Sequence, residues 1–235
     1  MLATIINVIL VLVGSMVGLL FRNLISERLM SILTHALGLC VLGIGISNML
    51  GTQDTLCVIV CMVIGAILGN ALDIERRLEG AGDLIRKRVV KEEGNSRFTE
   101  GFVNAALLFC VGAMAITGSI EAGLNHNYEI IISKGVIDGV TSISFAATMG
   151  IGVAFSVIPL FLYQGGITLL AGWIGPYLPD AVVTEMTAVG GTLIVAIAIN
   201  MLDLGKVKIK VGNLLLAMFL PIVYIPAANW LAGLF

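Results

Sequence analysis

Lys134 and Asp138 stand four residues apart in a largely apolar stretch. On a helix that spacing is one turn, so the ammonium and the carboxylate can neutralise each other. A charge at the centre of a bilayer costs about 2.5–3.5 kcal/mol on insertion scales, so one retained there marks a functional path by default. Ser142 and Ser144 add hydroxyls to the same run, and Gly135 and Gly139 add points where a helix could break and aim backbone groups at a solute. A polar loop at the outer membrane face is the competing reading of these residues. Gln164, in Tyr163-Gln164-Gly165-Gly166, falls mid-span and must find partners. Paired glycines beside it would let another backbone or a ligand approach. Lys134, Asp138, Ser142, Ser144 and Gln164 are therefore the expected core of a substrate or ion path.

Three further polar residues join that set. Glu185 opens an apolar run, where it would also suit the positive end of a helix dipole. Asn48 and Asn200 each close such a run; they can bond across to another helix, worth about 0.6 kcal/mol on average in membranes, or cap helix ends. Asn7 and Ser15 read as helix-packing contacts. Cys57 and Cys61 are one turn apart, but zinc would need two more ligands, and His35 and His126 sit on other segments. Buried apolar cysteines are the better reading, so no metal, cofactor or disulfide framework is expected. The chain has no phosphate-binding glycine loop with Lys-Ser/Thr, no His-Glu-x-x-His and no Gly-x-Ser-x-Gly. Neither an enzyme nor an ATP-driven pump is expected.

The elements that must position these residues are membrane helices. Hydrophobic residues make up 58% of the 235-residue chain and charged residues 12%, half the usual charge of a soluble domain; mean hydropathy is +1.06. About twenty apolar residues cross the hydrocarbon core as a helix. Residues 2–21, 30–50, 55–72, 98–120, 130–148, 150–174, 182–203 and 212–234 meet that need, giving an all-α bundle of about eight spans. The first run lacks a basic leader and a good cleavage site, so it reads as a retained helix rather than a signal peptide. Pro159 and Gly165-Gly166 predict a kink or break in the sixth span. The fifth and sixth are joined so tightly that a re-entrant pair is an alternative.

Lys and Arg cluster at 22–28, 76–97 and 206–210, whereas the loops at 51–54, 121–129 and 175–180 have none. Eight spans put all three basic loops on one side, which the positive-inside rule makes cytoplasmic, with both termini outside. The net charge of −2 points to no nucleic-acid partner. Residues 73–93 repeat Ile74, Leu78, Ala81, Ile85 and Val89 at three- and four-residue steps, an amphipathic helix for the cytoplasmic surface or for a partner.

His35-Ala36-Leu37-Gly38 through Asn48-Met49-Leu50 aligns without a gap on Thr187-Ala188-Val189-Gly190 through Asn200-Met201-Leu202. The predicted topology makes the two copies antiparallel, the plan of inverted-repeat transporters. The chain then divides into a first repeat (1–72), the amphipathic helix (73–97), a central polar pair of spans (98–148) and a second repeat (149–235).

Four motifs resemble a bacterial inner-membrane family: Phe109-Cys110-Val111-Gly112-Ala113-Met114; Lys134-x-x-x-Asp138-Gly139-x-x-Ser142 with Tyr163-Gln164-Gly165; Glu185-Met186-x-Ala188-Val189-Gly190-Gly191; and Lys208-x-x-x-Gly212-Asn213-Leu214. The chain is similar over essentially its whole length to the YqgA/YdfK-like family, a domain of unknown function. The resemblance implies a multi-pass inner-membrane protein, in some cases labelled a transporter, and supplies no substrate. The expected function is secondary transport of a small solute or ion, with the lipid bilayer as partner and a homo-oligomer compatible. The alternatives are a non-transporting assembly or sensory module acting through the amphipathic helix, and an oligomeric channel.

Overall fold

The computed structural model describes residues 1–22, 26–77, 80, 84 and 96–232, and among these there is no β-strand. The helices are α1 (Leu2–Arg22), α2 (Glu27–Met49), α3 (Thr55–Ala71), α4 (Ser96–Cys110), α5 (Ala113–Leu124), α6 (Glu129–Met149), α7 (Gly152–Phe155), α8 (Val157–Leu169), α9 (Ala171–Ile174), α10 (Asp180–Met201) and α11 (Pro221–Ala232). Two 3₁₀ helices, Gly175–Tyr177 and Val211–Phe219, precede α10 and α11. Among the described residues, five helical stretches are long and apolar enough to cross a membrane: α1, Arg28–Met49, α6, Gly152–Leu169 and α10. Two bent pairs raise that to as many as seven, and α3 is a shorter apolar helix. Residues 74–77 are helical; most of the amphipathic segment expected over 73–93 lies outside the described residues.

The bundle is organised by close backbone approaches at small residues, the main device for packing helices in lipid. Gly14 and Gly18 on α1 are four apart, as are Gly135 and Gly139 on α6. A Cβ on Gly14 would run into Gly139 O and Ser142 Oγ, and one on Gly18 into Ile143 O. Gly135 lies against Asn7, and Gly139 against Leu10. Contacts thus advance together along both chains, so α1 and α6 run parallel. On α10 a Cβ at Gly191 would sit 2.7 Å from Gly45 O and 2.6 Å from Met49 N, whereas Gly38 faces Met201 and Leu202. Here one number rises as the other falls, so α2 and α10 are antiparallel. Gly65 against Ala217 and Gly69 against Asn213 set α3 antiparallel to the 3₁₀ segment 211–219 in the same way.

The core centres on α10, whose Val189, Leu193, Ile194, Ile197 and Ala198 are buried and shared with Val41, Cys57, Leu107, Phe109, Phe145 and Met218. The outward faces carry exposed Leu20, Leu39, Ile67, Val140, Leu162 and Trp173, as expected of helices whose solvent is acyl chain.

The breaks differ in part from expectation: one not expected interrupts residues 98–120, the one expected within 130–148 is absent, and the one expected within 150–174 is present. The fourth span bends by 61° between α4 and α5, at Val111-Gly112, where Gly112 has φ +125, backbone that only glycine adopts freely. The polar run in the fifth span does not break its helix: α6 is continuous, and Thr141, Ser142 and Thr148 satisfy their hydroxyls within it on carbonyls three or four residues back. In the sixth span the break comes at Ser156, not at Gly165-Gly166. Pro159 has no N–H to offer Phe155 O, so the helix restarts just before it and the proline falls in a first turn, where it is tolerated.

Candidate functional site

A buried polar cluster lies where α1, α6 and α8 meet. The stripe Thr4, Asn7, Val11, Gly14, Gly18 recurs every three or four residues, which gives α1 one face of small and polar groups, all buried. The facing stripe of α6 is Lys134, Gly135, Asp138, Gly139 and Ser142. The glycines bring the two backbones together, and that proximity encloses the side chains between them. Lys134 and Asp138 are each 6% exposed and pair through Lys134 Nζ and Asp138 Oδ2. Asn7 Nδ2 donates to the same carboxylate oxygen at 3.2 Å and to Gln164 Oε1 at 3.1 Å. Ser142 Oγ donates to Val11 O at 3.1 Å and to Gly139 O at 2.7 Å. An ion pair, an amide pair and three helices are therefore tied into one network.

This network is incompletely satisfied. Among the described residues, Asn7 Oδ1 and Gln164 Nε2 have no hydrogen-bond partner, although both residues are fully buried. Thr4 Oγ1, one turn before Asn7, and Thr168 Oγ1, one turn after Gln164, are unpartnered as well, as are Ser15 Oγ and Tyr163 OH. Each such group costs about 1–3 kcal/mol relative to a hydrogen-bonded one, and the four on Thr4, Asn7, Gln164 and Thr168 set this α1–α8 contact apart from apolar packing.

The other expected residues lie elsewhere. Ser144 is half-buried on α6. Glu185 is buried in α10 and accepts from Thr52 Oγ1 at 2.6 Å, Gln53 N at 2.7 Å and Asp54 N at 3.1 Å. It fastens the turn between α2 and α3, while Asp54 caps α3 through Leu56 N and Cys57 N. Asn200 brackets the backbone of Ile209, donating to its O and accepting from its N, both at 2.8 Å. Asn48 sits half-buried against Gly191 on the α2–α10 contact. Lys134, Asp138, Ser142 and Gln164 are thus brought together, and Ser144, Glu185, Asn48 and Asn200 are not.

Asn7 is the residue that sequence reasoning undervalued. It makes both bonds that join α6 to α8, and Thr4 and Thr168 flank it. The available signal was the Thr4-Asn7-Val11-Gly14-Gly18 spacing, which matches Gly135-Gly139-Ser142 in register. On the far side of α8, an apolar cavity of about 240 Å³ opens between Phe102, Leu107, Cys110, Tyr163, Leu215 and Phe219.

Apolar helices packed through glycines around an enclosed charge pair define a helical membrane protein with a polar interior. The family model "Protein of unknown function (DUF554)" matches residues 2–225, and the chain belongs to that family. It is 32% identical over 229 residues to the "Uncharacterized membrane protein YdfK" of Bacillus subtilis (strain 168), covering 96% of each chain. It is 28% identical over 218 residues to the "Uncharacterized protein YqgA" of Escherichia coli (strain K12), covering 92% of each. No solved structure matches.

Proposed function

We propose that this protein is a secondary transporter of a small solute or ion across the bacterial inner membrane. The observation that carries the reading is the Lys134–Asp138 pair enclosed by α1, α6 and α8 among unpartnered polar atoms. A buried ion pair is a poor way to gain stability, since apolar residues of similar size usually do as well; retaining one inside apolar helices argues for work on a solute. Interrupted spans add support. The breaks at Val111-Gly112, at Ser156 and near Leu220 lie in three spans, and transporter sites are commonly built where such helices leave backbone groups free.

The helix directions favour the topology read from the charges. Parallel α1 and α6, antiparallel α2 and α10, and α3 antiparallel to residues 211–219 are the relations that eight alternating crossings require. On the orientation read from the charges, both termini face outward and the cluster belongs to the outer half of the bundle. The segments 35–50 and 187–202 pack on each other, which suits an inverted repeat.

The test is solute flux in proteoliposomes, preceded by a thermal-shift screen of metal ions, Na⁺ across a pH range, amino acids, carboxylates, polyamines and small uncharged polar solutes. The expected result is a ligand-dependent shift and a flux that are both lost in Asp138→Asn. A cooperatively unfolding protein that responds to no compound and moves no solute would overturn the reading and turn attention to partners of residues 73–93.

A further inference from the structure

We infer that Asn7 on α1 and Gln164 on α8 together bind a small uncharged solute carrying a hydrogen-bond donor beside an acceptor, a primary amide being the simplest case. The inference rests on the transport reading above and names its substrate class. Two carboxamides that face each other can close a ring of two N–H···O bonds. Here only one half is made: Asn7 Nδ2 donates to Gln164 Oε1, while Gln164 Nε2 and Asn7 Oδ1, the other donor and acceptor, have no partner among the described residues. The second N–H of Asn7 is committed to Asp138, which fixes the amide and prevents it from turning to complete the ring. What remains is one buried donor on α8 and one buried acceptor on α1, the complement of a group that accepts and donates at adjacent atoms.

Two hydroxyls extend the same surface. Thr4 lies one turn from Asn7, and Thr168 one turn from Gln164. Met1 packs against Gly165, so this turn of α8 stands level with the first turn of α1. Hydroxyls serve as donor or acceptor as required and carry no charge. The charge count points the same way. Lys134 and Asp138 neutralise each other, no side chain of α1 before Arg22 is an acid or a base, and the phenol of Tyr163 is the one ionisable side chain of α8. A cation admitted here would meet no counter-charge on α1 or α8, and an anion only the α-amino group of Met1 at the end of α1. An uncharged donor–acceptor solute would satisfy both orphan atoms and disturb no charge. Admission requires α8 to part from α1, and the backbone of this span is interrupted at Ser156, just before α8 begins.

The test uses three molecules of one shape: acetamide, acetate and acetamidinium, which are neutral, negative and positive. Each is added to the purified protein in detergent, and thermal unfolding is followed. Acetamide at about ten times its dissociation constant is expected to raise the unfolding temperature by about 3–6 °C, with no shift from the other two. Gln164→Met, which keeps the shape and removes the donor, is expected to abolish the response. The wild-type comparison stands even if that variant does not fold. A shift with acetate or acetamidinium and none with acetamide would overturn the uncharged class while leaving transport intact. No shift with any of the three, alongside an Asp138-dependent shift from another solute, would mean that water alone occupies the amide pair. Silence in both screens would remove the transport reading itself.

Discussion

At the scale of single residues, Lys134 and Asp138 form a pair whose worth differs from the cost of breaking it. Removing one partner from a buried ion pair strands the other and costs about 3–5 kcal/mol, whereas replacing both with apolar residues of similar volume is often neutral. Asp138→Leu alone is therefore expected to lower stability sharply, and Lys134→Met with Asp138→Leu to recover most of it; chemical denaturation in detergent measures both. If the pair serves transport, the recovered double variant is folded and carries no flux. Glu185 belongs to a different kind of site. Its carboxylate holds two backbone N–H groups and a hydroxyl of the α2–α3 turn, and hydrogen bonds to a charged group contribute about 1.5–3 kcal/mol. Glu185→Ala is expected to destabilise by about 2–3 kcal/mol, the cost appearing in the denaturation midpoint; if the variant keeps its stability, the carboxylate has another task. Sequence alone could single out Glu185 as polar and membrane-placed, but not as a turn clasp, because its partners lie more than 130 positions away.

At the scale of elements, the same residue type has opposite value in different helices. Gly14 faces the carbonyl of Gly139, and a methyl group there has no room. Gly166, in the equally helical α8, has nothing within 4 Å. Gly14→Ala is expected to cost about 1–3 kcal/mol through forced separation of α1 and α6, and Gly166→Ala to be neutral or to stabilise by up to about 1 kcal/mol. Unfolding midpoints of the two variants make the comparison; equal effects would mean that the α1–α6 contact can be relaxed cheaply. This contrast explains what was legible. The helices themselves could be read, since an apolar run of membrane length leaves little alternative. Their interruptions could not. Pro159, Gly112 and Gly165-Gly166 all look like breakers, yet one restarts a helix, one unwinds it and one lies inside it, according to which neighbour each meets. Lys134, Asp138, Ser142 and Gln164 were findable because charge and amide are conspicuous among aliphatics. Asn7 gains its position only from the packing of α1 on α6.

At the scale of the whole molecule, the charge distribution predicts an orientation. With the native cysteines replaced, Asn127→Cys is expected to react with a membrane-impermeant maleimide added to intact cells, and Lys206→Cys to react only after permeabilisation. The reverse pattern would invert the topology. The parallel pairing of α1 with α6 also bears on how the chain is made. Its first helix leaves the ribosome more than 100 residues before the helix it zips onto, an interval of roughly 5–20 s at ordinary translation speeds. Throughout that time Thr4, Asn7 and Ser15 face lipid or whatever insertion factor shelters them. The arriving sixth helix brings a lysine and an aspartate that lipid alone receives poorly. The polar face of each helix is thus covered only by the other, and a nascent chain halted before residue 129 would leave the first of them waiting for a partner not yet synthesised.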